Sequence, residues 1–350
     1  MVPREKAARV VLLFFGVICG LLIGEVVVRY LKISPRIFDY KIFEPMVFVE
    51  DPKVCYKMSP FGSCEGGRLN AEGFKGRDYP VEKGDSTVRI IMLGDSITKG
   101  SGVSLGETFS DQLEAMLNQE ARSAGSSLRF EVMNFGVGGY NIVSEIGVLK
   151  AYGLKYSPDI VIQNYFWNDN QEYSYNYWWF MENSGLSASE KNLIYRYYLD
   201  SRKFRIERLL LRSHLFRLAW MGINRIKPAP KKAVPSSGAA VDKEDIILEQ
   251  LAELKRLAAA RNFHALVCMH PVLDYDRNPP HPNYARTRNI TKGLGLACID
   301  LLGYYKNASK DPRVFLQRSD DPVHPNSFGH ALAAKSILSE LQKNRFVEFR

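Results

Sequence analysis

The residues best suited to chemistry stand far apart in the chain. Ser96 follows an apolar run, and a glycine cluster occupies Gly136-Val-Gly-Gly139. Asn168-Asp169 follows another apolar run, and Asp321-Pro-Val-His324 lies near the end. A serine hydroxyl is a weak nucleophile at its own pKa, so it needs a base within hydrogen-bond reach, and that base needs an orienting acid. An acid three residues before a histidine supplies both in one loop. Of the six histidines, His324 is the best candidate base. His264 opens a predicted strand, His214 lies in a basic helical segment, His330 runs onto the last helix, and His270 and His281 share a different loop. Asp321 is the expected orienter, and the adjacent Asp320 competes for that role. Read alone, Ser96 is equally a turn residue capping the next helix, and Gly136 and Gly138 serve as structural glycines.

Taken in order, Gly94-Asp95-Ser96-Ile97, Asn134-Phe-Gly-Val-Gly-Gly139, Asn168-Asp169 and Asp321-x-x-His324 resemble the nucleophile, glycine, Gly-x-Asn-Asp and closing blocks of the SGNH (GDSL-type) hydrolase family of serine esterases and lipases. The resemblance covers about residues 88–341 and departs at Phe166, where the third block usually has glycine. It implies Ser96, Asp321 and His324 as the catalytic residues. It also implies an oxyanion hole made by the backbone N–H groups of Ser96 and Gly139 with the Asn168 side-chain amide. Elementary chemistry agrees, because glycine lets the backbone approach closely and asparagine donates a neutral hydrogen bond. Asp95, Trp178 and Trp179 are the expected substrate contacts. No Gly-x-Ser-x-Gly elbow, dinucleotide fingerprint or phosphate loop occurs, so the α/β-hydrolase scaffold is disfavoured and no cofactor is expected. His270, His281, Asp274 and Asp276 come nearest to a metal-ligand set, but their spacing is irregular and no metal is expected.

These groups must be positioned by a scaffold, and the apolar pattern describes one. Runs at 88–93, 130–135, 160–166, 263–269 and 296–302 read as strands. Amphipathic stretches fall between or after them, with Phe109, Leu113, Met116 and Leu117 on one helical face and Ala331, Ala334, Leu338 and Leu341 on another. The alternation implies a flavodoxin-like three-layer α/β/α sandwich around a parallel sheet, over 88–345. Residues 29–87, rich in Pro, Gly and charge, read as an arm packed on that domain. Cys55 and Cys64 in this arm either pair or remain thiols.

The net charge of +9 is accounted for by residues 202–232, which hold ten Lys or Arg against Glu207. The rest of the chain is neutral, which argues against a nucleic-acid groove. Residues 10–28 are apolar apart from Glu25 and read as a transmembrane anchor after a cytoplasmic tail, 1–9, bearing Arg4, Lys6 and Arg9. A cleaved signal peptide and a buried helix are the rival readings. The anchor would leave the catalytic domain outside the cytoplasm. Residues 170–245 interrupt the alternation as a cap-like insertion leaving the sheet beside Asn168. Its aromatic stretch, 173–180, reads as a sugar platform, a membrane lip or a small core, and its basic stretch as a solvated face or a contact with anionic lipid.

The expectation is a membrane-anchored serine esterase acting on short-chain or carbohydrate O-acetyl esters through an acyl-serine intermediate. Its expected partners are an ester substrate, whether an acylated polysaccharide or a lipid, and the membrane. A polysaccharide O-acyltransferase using the same residues and a catalytically silent glycan-binding module are the alternatives.

Overall fold

The computed structural model describes residues 4–35, 41–43, 46–49, 51, 53–170, 186–187, 190–191, 193–194, 209–224 and 244–349. The helices in chain order are α1 (Arg4–Leu31), α2 (Ser96–Lys99), α3 (Phe109–Ser123), α4 (Ile142–Val148), α5 (His214–Asn224), α6 (Glu244–Arg261), α7 (Pro282–Gly293), α8 (Leu302–Ala308) and α9 (Ser327–Lys343). The strands are β1 (Lys41–Phe43), β2 (Met46–Phe48), β3 (Tyr56–Met58), β4 (Ser63–Cys64), β5 (Gly67–Arg68), β6 (Thr87–Gly94), β7 (Arg129–Gly136), β8 (Ile160–Tyr165), β9 (His264–Met269) and β10 (Ala297–Asp300). Two compact units divide the chain: residues 1–40 with 183–233, and residues 41–182 with 234–350.

In the second unit, β6 to β10 form one parallel sheet in the order β7-β6-β8-β9-β10. The five apolar runs become strands because both faces of this sheet are covered: Ile90, Ile91, Met92 and Leu93 of β6 are all fully buried. Alternate residues serve the two faces. Ile90, Met92, Val132 and Ile162 pack with Phe109, Leu113 and Leu117 of α3 and with Ala334, Ile337 and Leu341 of α9. On the other side lie α4 and α6, which also pack on each other. The strand order reverses between β6 and β8, and in such sheets the crevice at the carboxyl ends beside that reversal is the ligand site. Ser96 leaves β6 and Asn168 leaves β8 at that point.

Residues 41–87 belong to the second unit, and buried cations tie them to the sheet. Arg89 of β6 is fully buried and donates to Glu131 Oε2 (2.8 Å) and to the carbonyls of Pro80, Val81, Glu82 and Tyr156 (2.6 to 3.1 Å). Lys75, also fully buried, donates to Glu65 Oε2 (3.1 Å), Gly100 O (2.8 Å) and Val103 O. The arm contains two small antiparallel sheets, β1-β2-β3 and β4-β5, that periodicity did not reveal. No disulfide joins Cys55 to Cys64.

In the first unit, α1 contains a stretch, Ala8–Leu31, long and apolar enough to cross a membrane. The one acid inside its apolar sequence is satisfied by the inserted segment. Glu25 accepts from Ser213 Oγ (2.7 Å), His214 N (3.0 Å) and Leu215 N (2.9 Å) at the start of α5, and from Arg29 Nε (2.6 Å). A carboxylate at a helix N-terminus serves the otherwise unpaired N–H groups there. His214 Nδ1 lies 2.7 Å from Ser34 Oγ. The described residues of 183–233 group with the N-terminal helix.

Candidate active site

Ser96 is the first residue of α2, whose seat on the sheet is set by close approach. A Cβ on Gly136 would come within 2.2 Å of Lys99 N, so only glycine lets the α2 backbone lie over the end of β7. Asp95, expected to touch substrate, is buried and caps α2, accepting from Ile97 N at 2.8 Å. Its role is to fix the turn that presents Ser96.

The loop after β10 and α8 brings the base to this turn. His324 Nε2 lies 2.9 Å from Ser96 Oγ, and His324 Nδ1 lies 2.7 Å from Asp321 Oδ2. Asp321 Oδ1 also accepts from Val323 N (3.0 Å) and His324 N (3.3 Å), which holds the carboxylate against the ring. Partial burial raises the Asp321 carboxyl, but the bonds from the His324 ring and the backbone more than offset this and leave its pKa below the ordinary value. Asp320 turns away and pairs with exposed Arg318 at 2.8 Å. An imidazole so held has one nitrogen directed at the hydroxyl and the other satisfied by an anion, so it can accept the serine proton. Asp321→Asn is expected to lower kcat by roughly 10^3- to 10^4-fold, and Asp320→Asn by less than about twofold. Steady-state rates on an aryl acetate decide between the two, and the reverse pattern would move the orienting role to Asp320.

Gly139 lies in the turn after β7 with φ of +75°, a left-handed conformation that favours glycine. The turn is clamped by the arm: Tyr56 OH donates to Gly138 O (3.0 Å) and Tyr140 OH donates to Tyr56 O (2.5 Å). Asn168 sits in the short helical turn Trp167–Asn170 at the end of β8. Asp169 Oδ2 closes that turn by accepting from Phe166 N at 2.9 Å, and Asn168 Oδ1 is buried without a partner. Trp178 and Trp179 lie outside the described residues.

Sequence reasoning missed a buried polar layer beside this edge. Glu145 of α4, Gln163 of β8 and Asp169 are fully buried; Gln163 Nε2 donates to Glu145 Oε2 (2.7 Å) and lies 3.3 Å from Asp169 Oδ2. Burial raises the Glu145 carboxyl to about 8, opposed by the bond from Gln163 and reinforced by the charge of Asp95. Burial, with the charges of Glu145 and Asp95, raises Asp169 as well. The folded protein therefore holds a proton on Glu145 that the unfolded chain releases between its ordinary carboxylate pKa and about 8, and stability falls as pH rises through that window. Glu145→Gln keeps the shape and removes the ionisation. Its melting temperature is expected to exceed that of the unaltered protein at pH 9, and the gap is expected to close below pH ~4. Melts at a series of pH values check this, and an equal gap at every pH would contradict it. The signal was absent from sequence because a glutamate in an amphipathic helix ordinarily reads as surface.

His270, His281, Asp274 and Asp276 are not gathered as ligands. His270 is buried with Nε2 3.1 Å from Asn164 Oδ1, whereas the His281 ring stacks on Trp167 at 4.9 Å. Burial lowers the His270 ring to about 3, so it stays neutral.

A flavodoxin-like sheet carrying a Ser-His-Asp relay at its switch point, without a Gly-x-Ser-x-Gly elbow, defines a carboxylic ester hydrolase of SGNH type. The chain belongs to the GDSL-like Lipase/Acylhydrolase family, whose match spans residues 92–332. Among solved structures it is similar to the acetyl xylan esterase AlAXEase, at 14% identity and TM-score 0.42 over 73% of this chain and 100% of that one. It is also similar to a catalytic mutant of an acetylxylan esterase from Geobacillus stearothermophilus, at 15% identity and TM-score 0.43 over 73% of this chain and 94% of that one. A two-domain esterase active on acetylated mannans matches at 17% identity and TM-score 0.41, over 75% of this chain and 51% of that one. No curated protein matches the chain.

Proposed function

We propose that the protein is a membrane-anchored serine esterase that cleaves short-chain carboxylic esters, including carbohydrate O-acetyl esters, through an acyl-serine intermediate. The observation that carries this reading is the continuous relay Ser96 Oγ–His324 Nε2 (2.9 Å) and His324 Nδ1–Asp321 Oδ2 (2.7 Å) at the switch point of the sheet. His324 takes the Ser96 proton as Oγ attacks the acyl carbon. The carbonyl oxygen gains charge and is met by the N–H groups of Ser96 and Gly139 and the Asn168 amide. Collapse expels the alcohol, which receives the proton from His324. Water then enters by the same route in reverse, giving the carboxylic acid and restoring the serine. Asp321 keeps the imidazole in the required tautomer and stabilises its protonated form.

The anchor is favoured over a cleaved signal by the bonds between Glu25 and the start of α5. Removing α1 would strip α5 of its cap and of the apolar side chains around Ile18, Leu22 and Leu215. With Arg4, Lys6 and Arg9 in the cytoplasm, the catalytic unit lies outside.

The test is a fluorophosphonate probe applied to membranes containing the full chain. Ser96 is expected to be labelled, the protein to stay with the membrane after a high-salt wash, and short aryl esters to be hydrolysed. An unlabelled serine would overturn the esterase reading, and release by salt or recovery of a shortened soluble chain would overturn the anchor.

A further inference from the structure

Within the first unit, α1 and α5 enclose a groove of about 670 Å³ that the ester chemistry does not use. On α1 its wall is Ile18, Leu21, Leu22, Glu25 and Arg29, which recur at helical spacing and so share one face. On the other side stand Leu215, Phe216 and Ala219 of α5, with Arg212 just before that helix. Ser213, next to Arg212, donates through Oγ to Glu25 (2.7 Å), and Arg29 Nε donates to the same carboxylate (2.6 Å), so both arginines belong to the Glu25 end. We infer that this groove holds one anionic phospholipid, with an acyl chain along Ile18, Leu22 and Phe216 and the phosphate at Arg29 and Arg212; the inference rests on the anchor reading above.

Length, polarity and charge agree on that occupant. From Ile18 to Arg29 the helix rises about 16 Å at 1.5 Å per residue, and half of a hydrocarbon layer ~30 Å thick is about 15 Å. The groove is therefore as long as one leaflet is deep. Its apolar end lacks cover, since Ile18, Leu21 and Leu22 are each more than half exposed, and an acyl chain would supply it. Its charged end falls where a headgroup lies, because the apolar sequence of α1 stops at Val28, next to Arg29. Glu25 is already occupied by Ser213 Oγ, the N–H groups of His214 and Leu215, and Arg29 Nε, which leaves it little to offer a choline group. Among the described residues Arg29 is bonded through Nε alone, and its side chain is 58% exposed. Two guanidiniums against one carboxylate leave an excess of positive charge at this end. A phosphate diester supplies the opposite charge, with oxygens that fit the guanidinium fork. A zwitterionic headgroup would bring another cation to the same place, and free phosphate would leave the apolar length of the groove open.

The experiment uses the full chain, purified from membranes in a nonionic detergent and stripped of lipid. Dioleoyl phosphatidylglycerol, dioleoyl phosphatidylcholine or inorganic phosphate is added back, and the lipid that stays with the protein through size exclusion is measured by mass spectrometry beside a thermal melt. Phosphatidylglycerol is expected to be retained, at least about fivefold more than phosphatidylcholine, and to raise the melting temperature, while inorganic phosphate leaves it unchanged. Ala219 is an exposed wall residue of α5, so Ala219→Trp fills the groove without entering a core. This variant is expected to lower retention of phosphatidylglycerol by roughly tenfold. Arg29→Gln combined with Arg212→Gln leaves the apolar walls intact and is expected to abolish the preference between the two lipids. Equal retention of both lipids by the unaltered protein, retention indifferent to Ala219→Trp, a preference that survives loss of the arginines, or stabilisation by inorganic phosphate would overturn the inference. A dimer of the unaltered chain that Ala219→Trp dissociates would place a second copy in the groove and overturn it too. The anchor is read separately: a chain that resists a high-salt wash of its membranes yet retains no phosphatidylglycerol fails only the groove, whereas recovery of a shortened soluble chain fails the anchor.

Discussion

Alanine at Ser96 or at His324 is expected to lower ester turnover by about four to six orders of magnitude, and the double replacement to be little worse than either single one. The reason is geometric. Ser96 Oγ and His324 Nε2 are joined at 2.9 Å, so the base has no use without the nucleophile and the nucleophile is not activated without the base. Residual activity is expected from the groups that stabilise the developing oxyanion, because they do not depend on the relay. The four proteins are compared by kcat on a short aryl ester, with melting curves to show that the fold persists. Losses that multiply in the double variant would mean that the residues act independently. A His324→Ala protein with near-normal rates would require a different base.

The second large effect concerns stability. Arg89→Leu is expected to destabilise the catalytic unit by about 3 to 5 kcal/mol, because removing one partner of a buried ion pair leaves Glu131 with only the more distant Arg77 (3.9 Å) and Arg129 (4.0 Å). Here the loss is compounded. Glu131, whose side chain is 4% exposed, loses its closest cation, and the carbonyls of Pro80, Val81, Glu82 and Tyr156 lose a donor. For a unit of this size the melting temperature is expected to fall by about 10 °C. Replacing Glu131 by Leu as well is expected to recover part of the loss, since an apolar pair of similar volume is often tolerated where a lone charge is not. Thermal unfolding of both variants tests this. A double variant less stable than Arg89→Leu would show that the strand, not the charge, governs the effect.

The strands were legible because a parallel sheet covered on both faces demands continuous apolar runs, and each of the five lies within two residues of its expected position at its start and end. Ser96 and His324 were legible only through the blocks around them, Gly94-Asp95-Ser96-Ile97 and Asp321-x-x-His324, since serine by itself is a common turn residue. The choice between Asp320 and Asp321 was not, since both are adjacent acids in sequence, and only the direction of the loop turns one toward His324 and the other toward Arg318. The capping of α2 by Asp95 was not foreseen, because a helix cap and a binding carboxylate have the same sequence signature. Arg89, Lys75 and Glu145 escaped notice for a common reason. Charged residues are ordinarily counted as surface, and what allows each of these to be buried is a partner brought from elsewhere in the chain. The link between Glu25 and α5 spans 190 residues at its widest and leaves no local trace.

The arm is where a tethered enzyme would be expected to be cut, as it follows the apolar helix and precedes the first strand of the main sheet. Yet Lys75 grips the carbonyls that follow α2, and Tyr56 exchanges hydrogen bonds with the Gly138–Tyr140 turn. A protease that cut between residue 41 and residue 87 would free the domain from its tether and at the same time loosen both walls of the cleft around Ser96. Shedding by that route is expected to silence the enzyme instead of spreading it.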